Sequence, residues 1–455
     1  MFLLSYPHGR YDLPRLPDAS TTHRRVGKPA RRATTRRQTA GRTLRQGRTQ
    51  SPPEKTRPQA RQRLRHQGPS ATPAPEQIDE TYEAPLPQRC PDCGGAIGET
   101  PIDHQYQVEI PRQPTPRQFN IHIGHCQRCR RRVQGRHPLQ TSDALGAAAS
   151  QLGPDAQAAV VELNQDAGRS HGKVSRILDD LFGIKLTPGG STHTILRAGR
   201  RWEPLVATIC QLVQPSEEVV PDETGWRIGG LPAWLHALVG MTATAYLIDP
   251  TRSGDVAAGV LGWDYDGLMV HDGWSAYNRF TEARHQQCLG HLLRRCHEMV
   301  ETASASAAVF PRRIGALLHR ALELRDRHLA SAVSWHGLAV ARGRLANDLW
   351  AEIWPLRRNP ANERLSRHLG NPFDSLLTFL RVPGLDATNG QAESAIRFGV
   401  ILRKVWGGNR TWAGARAQAV LMSGWRTCWQ QGRNAIDLLS GYLRGQRVNR
   451  ASLPP

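Results

Sequence analysis

The sequence has few of the features that mark membrane, secreted and nucleotide-binding proteins. The longest uncharged run, residues 231–248, contains His236, Gly240 and several threonines, so it favours two strands and a turn over a membrane span. Residues 1–4 are too short for the apolar region of a signal peptide. The chain has no P-loop, no GxGxxG before a helix and no HExxH, so nothing in it suggests ATP, NAD or zincin chemistry. These absences predict a cytoplasmic protein without a membrane partner.

Acidic residues are scarce relative to basic ones. The chain of 455 residues has 60 Lys and Arg against 39 Asp and Glu, a net charge of +21. Such a surplus indicates a polyanionic partner, usually nucleic acid. Residues 1–70 hold 17 basic and 3 acidic side chains, so 14 of the 21 charges lie there and only 7 belong to the rest. The basic start alone therefore does not make the remainder a nucleic-acid enzyme.

Residues 1–85 lack a sustained apolar period and are rich in Arg, Pro, Thr and Gln. This composition buries too little apolar area to offset the entropy of ordering, so we expect a disordered tail. Three interpretations stay open. The tail is an arm that binds DNA phosphates, a solvated segment, or residues translated upstream of the true start.

Cysteines are few, and four of the eight form two CxxC pairs separated by 32 residues. These four are Cys90, Cys93, Cys126 and Cys129. The intervening segments 105–110 and 119–123 alternate like the strands of a hairpin. The spacing predicts a Cys₄ zinc ribbon over residues 86–138, with a structural Zn²⁺ because four sulfurs leave no open position. A redox pair is the rival interpretation. Arg130 and Arg131 follow the second pair as candidate DNA contacts, or as an ordinary charged surface.

Residues 140–205 have helical periodicity. Apolar positions predict a helix ending at Gly183, and residues 187–192 open a second helix that we expect to end near Arg201. This helix–turn–helix-like arrangement would place Lys173 and Arg176 on DNA, although two helices more often simply pack together.

Residues 215–275 predict an α/β core. The expected order is three strands (219–222, 233–239 and 243–248), a short helix (255–261) and a fourth strand (267–271), which gives a mixed sheet with flanking helices of RNase H-like plan. Asp222 and Asp272 end the first and fourth strands. Each alone could serve turn chemistry, but converging carboxylates are what a divalent-metal site requires.

Residues 276–384 lack strand-like alternation and predict a helical insertion. Cys288 and His291 lie three apart on an expected helix. A second metal site is conceivable there, whereas a packed thiol and a hydrogen-bonded imidazole is the simpler interpretation. Arg294 and Arg295 follow as phosphate contacts or solvated charges.

Residues 385–455 return to the core with an amphipathic helix for which Asn389 is a plausible N-cap. At 100° per residue, Glu393, Arg397 and Lys404 lie within about 40° on one face. That face presents one acid to metals and two cations to DNA, or simply carries an ion pair in solvent. Further candidate DNA contacts are Arg403 and Arg410. Two closing helices over 412–445 are expected to bury Trp425, Cys428 and Trp429.

Several strings together resemble the insertion-sequence-66 family of bacterial DDE transposases. They are Asp222-Glu-Thr-Gly-Trp, His271-Asp-Gly-Trp-Ser-Ala-Tyr, His285-Gln-Gln-Cys-Leu-Gly-His-Leu-Leu-Arg-Arg, Asn389-Gly-Gln-Ala-Glu and Arg403-Lys-x-x-Gly-Gly. The resemblance covers roughly residues 88–445 and implies an RNase H-like core with a helical insertion. It places the catalytic acids on Asp222, Asp272 and Glu393, and it implies Mg²⁺ dependence and mobile-element DNA as the substrate.

The mechanism expected from these residues is two-metal phosphoryl transfer. Asp222, Asp272 and Glu393 would hold two Mg²⁺ ions, with Mn²⁺ as an alternative, about 3.5–4 Å apart. Element ends would be cut and then joined to target DNA by a homodimer or higher oligomer, with accessory proteins as further candidate partners. Two alternatives stay open: an RNase H-like nuclease that cuts without joining, and a zinc-ribbon DNA-binding protein with an inactive core.

Overall fold

Alternating apolar residues build the central sheet, and helices of 8 to 26 residues cover it. The computed structural model describes scattered residues between 77 and 105 and the stretches 113–145 and 151–445. The chain divides into two units, residues 1–107 and 108–455, and the strands and helices of the described residues belong to the second. The predicted tail lies almost wholly outside the described residues, and so do Cys90 and most of segment 105–110.

The strands are β1 (Ile123–His125), β2 (Arg132–Gln134), β3 (Glu218–Ile228), β4 (Leu231–Val239), β5 (Thr244–Asp249), β6 (Leu268–His271) and β7 (Arg284–Gln287). The helices are α1 (Pro154–Val161), α2 (His171–Phe182), α3 (Pro188–Val213), α4 (Gly254–Leu261), α5 (Leu289–Thr302), α6 (Val309–Leu329), α7 (Trp335–Ile353), α8 (Pro360–Gly370), α9 (Gly390–Trp406), α10 (Trp412–Gln430) and α11 (Ala435–Leu443).

The main sheet is mixed, with strand order β5-β4-β3-β6-β7. Strands β3, β4 and β5 pair antiparallel, whereas β6 and β7 continue the sheet from β3 in parallel. Neighbouring side chains of one strand point to opposite faces. Val220 accordingly packs in one core and Val219 in the other. The mixed sheet with flanking helices expected from the sequence is therefore present.

Each face of the sheet has its own helical layer. The core that contains Val220 also contains the buried residues of α5 to α9. The core that contains Val219 includes the buried side chains of α1 to α4 and α11. Helix α10 contributes to both cores through Met422 on one side and Trp425 on the other. Predicted site acids can therefore meet only if they lie on the same face of the sheet.

Helix α3 is longer than the sequence predicted. We expected it to end near Arg201, yet it continues to Val213 because its later apolar residues bury against α10 and β5. The helices approach closely: a Cβ on Gly199 would lie 2.6 Å from Cα of Ala417, and one on Gly424 would lie 2.3 Å from the Trp202 ring. Helix α3 is thus part of the core layer as well as of the predicted helix–turn–helix-like segment.

The predicted helical insertion contains a strand. Strand β7 pairs parallel with β6 at the edge of the sheet, and the helices of this region begin only after it. Its residues Arg284–Gln287 are all polar, so they show no apolar alternation. The side chains of Gln286 and Gln287 are nevertheless buried, and hydrogen bonds to protein groups satisfy their amide nitrogens. Because its buried side chains are amides, apolar alternation did not predict this strand.

One smaller prediction is also wrong. Trp429 was expected to be buried but is 67% exposed, with the Arg426 guanidinium over its ring. Asn389 occupies the N-cap position of α9, yet its side chain makes no capping hydrogen bond and is fully buried. Trp425 and Cys428 are buried as predicted. None of the helices in the described part of the chain is long and apolar enough to cross a membrane.

Candidate active site at the carboxyl end of strand β6

Asp222 lies in the middle of β3, although the sequence predicted a strand end followed by a turn. Two ladders explain the difference. The antiparallel pairing with β4 continues to Ile228, whereas the parallel pairing with β6 ends at Val219 and Met269. Asp222 is therefore held in an extended strand on one side and is free of strand pairing on the other. It shares the sheet face of Val220, because residues two apart in a strand point the same way.

Asp272 follows the last residue of β6. Extending the β3–β6 register by three residues from Val219 and Met269 places Asp222 beside Asp272. The charge of Asp272 also acts on Asp222, so the two carboxylates lie within electrostatic reach of each other. The backbone N–H of Trp274 donates to Oδ1 of Asp272 at 2.8 Å, and Gly273 between them has a φ of 91°. The Asp272 side chain is thus fixed by its own turn.

Asp222 is strongly perturbed. Burial raises its pKa to about 7, and the negative charges of Asp272 and Glu223 act in the same direction. The Glu223 N–H, which donates to Oδ1 at 2.9 Å, and the charge of His291 partly oppose this rise. Among the ion pairs of the described residues, none contains Asp222. A desolvated carboxylate next to a second carboxylate is an environment that a cation would stabilise.

Glu223 points to the opposite face and is fully partnered. Nε of Arg252 lies 2.6 Å from its Oε1, and the Tyr277 hydroxyl donates to its Oε2 at 2.6 Å. The Arg252 guanidinium also lies over the Trp274 ring at 4.1 Å and 3.8 Å from Oδ2 of Asp272. This cluster was not identified from the sequence. Strand alternation would have separated Glu223 from Asp222, but nothing local pointed to Arg252.

Glu393 lies in the first turn of α9 and reaches the same end of the sheet through His291. Nε2 of His291 is 3.6 Å from Oε1 of Glu393. The Cys288 side chain raises the pKa of His291, as do the charges of Glu393 and Asp272, whereas burial lowers it. His291 therefore lies within electrostatic reach of all three predicted acids. Cys288 is not in the helix as predicted: it precedes α5 as a buried N-cap residue.

The buried His271 and the half-buried His285 hold the turn that carries Asp272. Nε2 of His285 lies 2.9 Å from the Phe280 carbonyl, which only accepts, so this nitrogen is the donor. Its Nδ1 then accepts from Nε2 of His271 at 3.1 Å, and Nδ1 of His271 accepts from the Gly273 N–H at 3.1 Å. Burial lowers the pKa of His271 to about 3, which keeps its ring neutral. Strand β7 thereby supports the position of Asp272.

The oxygen donors suit a hard divalent cation, but they are not gathered around a single point. Within residues 113–145 and 151–445, and the scattered residues before them, no three His, Cys, Asp or Glu side chains form a group that could hold a metal. Asp222 and Asp272 are adjacent, whereas Glu393 is 41% exposed and faces His291. The chemistry of the donor set fits Mg²⁺ or Mn²⁺. The three-acid metal site stays a prediction.

The predicted DNA contacts lie in different parts of the protein. Arg294 and Arg295 line an open depression of about 340 Å³ that also includes Asp272, His291 and His368. Other exposed residues in this set are Arg130, Arg131, Lys173, Arg176, Arg397, Lys404 and Arg410. Arg403 is half-buried, and its guanidinium donates to the Gly225 carbonyl, which ties α9 to β3. The structure brings only Arg294 and Arg295 into the depression beside Asp272.

The second cysteine pair lies in the turn of a hairpin formed by β1 and β2. The predicted hairpin was expected between the two CxxC pairs, so its position was wrong for segment 119–123, which is strand only at Ile123. Hydrogen bonds from the backbone and side chain of Cys129 and from the Arg128 backbone lower the pKa of Cys126. Such bonds favour a thiolate, the form that binds zinc. The Cys₄ arrangement stays a prediction because Cys90 lies outside the described residues.

Comparison with known families fits this geometry. The sequence model described as Transposase IS66 family matches residues 149–417, more than half of the chain. The matched stretch contains strands β3 to β7, Asp222, Asp272 and Glu393. The protein is therefore a DNA-processing enzyme of the transposase class. The chain belongs to the IS66 family of transposases. No curated protein sequence matches it.

Proposed function

We propose that this protein is a DDE transposase that cuts the ends of an insertion sequence and joins them to target DNA by Mg²⁺-dependent phosphoryl transfer. One observation carries the proposal: Asp222 on β3 is desolvated and forms no ion pair among the described residues, and the charge of Asp272, which directly follows the parallel strand β6, acts on it. A carboxylate in that environment is a good ligand for a divalent cation. Family membership supplies the DNA substrate.

The topology supports an RNase H-like core. Three antiparallel strands, a short helix and then parallel strands give the order β5-β4-β3-β6-β7. The first acid lies on β3 and the second follows β6, while the third is on α9, after the helices α5 to α8. This order matches the plan in which a helical insertion separates the second acid from the third. The insertion then begins at α5 rather than at residue 276.

Asp222, Asp272 and Glu393 would hold the Mg²⁺ ions. Bound there, the ions would supply Lewis-acid stabilisation of the attacking and leaving oxygens of the phosphodiester. The protein's own contribution is to orient these acids. The Trp274 N–H fixes one oxygen of Asp272, the His271–His285 chain holds the turn, and β4 holds Asp222 extended. His291 holds Glu393 at the edge of the same site.

The basic residues would place the DNA. Arg294 and Arg295 flank Asp272 in the depression, where they would neutralise backbone phosphates. The exposed Arg130 and Arg131 beside the second cysteine pair would extend the contact, with a structural Zn²⁺ bound by four cysteines. Joining two element ends to one target would require at least two copies of the chain, which supports a dimer or higher oligomer as the active form.

The proposal is tested by replacing Asp272 with Asn and measuring strand transfer of element ends with Mg²⁺. We expect joining to be lost while the protein stays folded, because the substitution removes a metal-binding charge but keeps the shape. Asp255→Asn is the matched control, since Asp255 is an exposed acid on α4 that pairs with Arg279. Undiminished joining by the Asp272 variant would overturn the proposal. Cleavage without joining by the wild-type protein would indicate a nuclease instead.

A further inference from the structure

The strand pairing between β3 and β6 stops short of the two acids that end the core strands. It ends at Val219 and Met269, three residues before Asp222 and Asp272. Hydrogen bonding between the two strands therefore does not set the distance between the carboxylates. Side-chain contacts between β3 and the turn that carries Asp272 are the remaining way to fix that distance.

Arg252, which lies between β5 and α4, makes such a contact. Its Nε is 2.6 Å from Oε1 of Glu223, and its Nη2 is 3.8 Å from Oδ2 of Asp272. The Tyr277 hydroxyl, which belongs to the segment after Asp272, donates to Oε2 of Glu223 at 2.6 Å. One guanidinium and one hydroxyl thus connect the neighbour of Asp222 on β3 to the segment that carries Asp272.

Two aromatic rings hold the Arg252 guanidinium in place. Its central carbon lies 4.1 Å from the centre of the Trp274 ring, in the turn, and 5.1 Å from that of Trp234, on β4. The Arg252 side chain is 31% exposed, and that of Glu223 is only 1% exposed. An exposed ion pair contributes little because both side chains are free to move. Stacking on rings and pairing with a buried carboxylate remove that freedom, so Arg252 is a fixed connection.

The charge and the position of Arg252 act in opposite directions on a cation at this site. A guanidinium near Asp272 repels a divalent ion, so its charge alone would weaken binding. Its contacts orient the Asp272 carboxylate relative to β3, and loss of a group that orients a metal ligand typically lowers metal affinity about 10- to 100-fold. The orienting effect is the larger one, because Arg252 is partly exposed and solvent screens its charge.

We propose that Arg252 is a positioning residue that connects the Asp272 turn to β3 and thereby sets the separation of Asp222 and Asp272 for a divalent cation. It acts through Glu223 and Asp272 and is not itself a metal ligand, since a guanidinium has no acceptor atom. The use of this separation in metal binding rests on the proposed function, whereas the connection rests on the contacts alone.

Hydrogen–deuterium exchange of the metal-free protein tests the connection. We expect residues 272–277 of Arg252→Gln to exchange about 10-fold faster than in wild type, after correction for any change in α7, because the segment loses its contact with β3. Helix α7 reports the overall stability, which the unpaired Glu223 lowers throughout the protein. The correction therefore separates a local connection from a general loss of stability.

Arg279→Gln is the matched control. Arg279 also pairs with a carboxylate, Asp255 at 3.1 Å, and lies over a tryptophan ring, Trp263 at 4.0 Å. Its side chain is 57% exposed, however, and its carboxylate partner is exposed as well. The exchange of residues 272–277 in this variant should stay within about twofold of wild type.

Mn²⁺ is the probe for the second test, with the free ion followed by electron paramagnetic resonance. We expect Arg252→Gln to raise the dissociation constant about 10-fold. Loss of a positive charge would by itself lower the constant, so the direction of the change separates positioning from charge. Arg252→Lys keeps the charge, but one ammonium replaces the fork that contacts both carboxylates, so the constant should rise about 3-fold. Arg279→Gln should bind Mn²⁺ within about twofold of wild type.

Two results would overturn the inference. One is Mn²⁺ binding by Arg252→Gln that equals or exceeds that of wild type. The other is exchange in residues 272–277 that increases no more than exchange in α7. If Arg252→Gln does not fold, Arg252→Lys carries both measurements. If wild type binds Mn²⁺ no better than Asp272→Asn, the proposed function fails, and the exchange result still decides whether Arg252 connects the turn to β3.

Discussion

Adjacent residues of β3 place two carboxylates on opposite faces of the sheet. One carboxylate has ion-pair and hydrogen-bond partners there, and the other has no cationic partner. Glu223 is buried with Arg252 and Tyr277, which neutralise and hydrogen bond both of its oxygens. Asp222 lies on the other face beside Asp272, and burial raises its pKa to about 7 without a cationic partner. The chemistry of the two side chains is nearly the same, so their neighbours account for the difference.

The two carboxylates differ in their effect on the stability of the fold. A buried carboxylate that is paired and hydrogen bonded contributes to the stability of the fold, whereas one that is desolvated and unpaired costs stability. Proteins retain such a cost where a ligand later relieves it. We therefore expect Asp222, together with Asp272, to bind a ligand. The cluster of Glu223, Arg252 and Tyr277 instead stabilises this end of the sheet.

The largest expected effect concerns Asp222 itself. Asp222→Asn should reduce strand transfer by about 100-fold or more, because it removes a charge that would stabilise the metal ions. The measurement is joining of labelled element ends to a plasmid, with Asp255→Asn as the control for an exposed acid. Joining at the wild-type rate would contradict a role for Asp222 in the reaction and would leave no functional difference between Asp222 and Glu223.

Glu223→Gln should have its main effect on stability. The change leaves the Arg252 charge without its closest partner, and breaking such a pair typically costs about 3–5 kcal/mol when both groups are buried; Arg252 is partly exposed, so we expect about 2–3 kcal/mol. Urea unfolding followed by circular dichroism measures it. Glu203→Gln is the control because Glu203 is 52% exposed and lies 3.9 Å from Arg416. A loss no larger than that of the control would contradict the structural role of Glu223.

The pH dependence of stability should report on Asp222 directly. Its pKa in the folded state is raised to about 7 from an ordinary value of 3.8, so the folded protein binds the proton more tightly than the unfolded chain. The stabilisation is complete below about pH 4 and is lost as pH rises through 7. We expect Asp222→Asn to remove about 4 kcal/mol of this fall between pH 4 and 8, measured without added divalent ions. Glu162 and Glu218 also have raised pKa values, so the difference between variant and wild type is the informative quantity. Parallel pH curves would exclude a perturbed Asp222.

Tyr277→Phe should have the smallest effect. It removes the hydroxyl that donates to Glu223 and leaves the ring in place, which costs about 1–2 kcal/mol of unfolding free energy. The same urea unfolding experiment measures the change. Glu223→Gln combined with Tyr277→Phe should destabilise by less than the sum of the two single changes, because both remove one shared interaction. Full additivity would show that the hydroxyl and the carboxylate act separately.

Much of the core followed from local patterns. The strands β4, β5 and β6 and the helix α4 lie within two residues of their predicted positions, because alternating apolar residues and turn residues mark them. Strand β7 was missed because its buried residues are glutamines, and Trp429 was misplaced because one face of α10 is covered and the other is not. The end of α3 was missed because contacts with α10, more than 200 residues away, extend the helix.

The candidate site divides in the same way. Local patterns were enough to predict that Asp222 and Asp272 follow two apolar segments and that Glu393 opens a helix, because these are properties of neighbouring residues along the chain. Packing between distant elements is what brings Arg252 to Glu223 and His291 to Glu393. Those contacts join residues 29 to 102 positions apart in sequence. Burial and charge at such positions depend on packing between elements, and the periodicity of a local sequence does not reveal that packing.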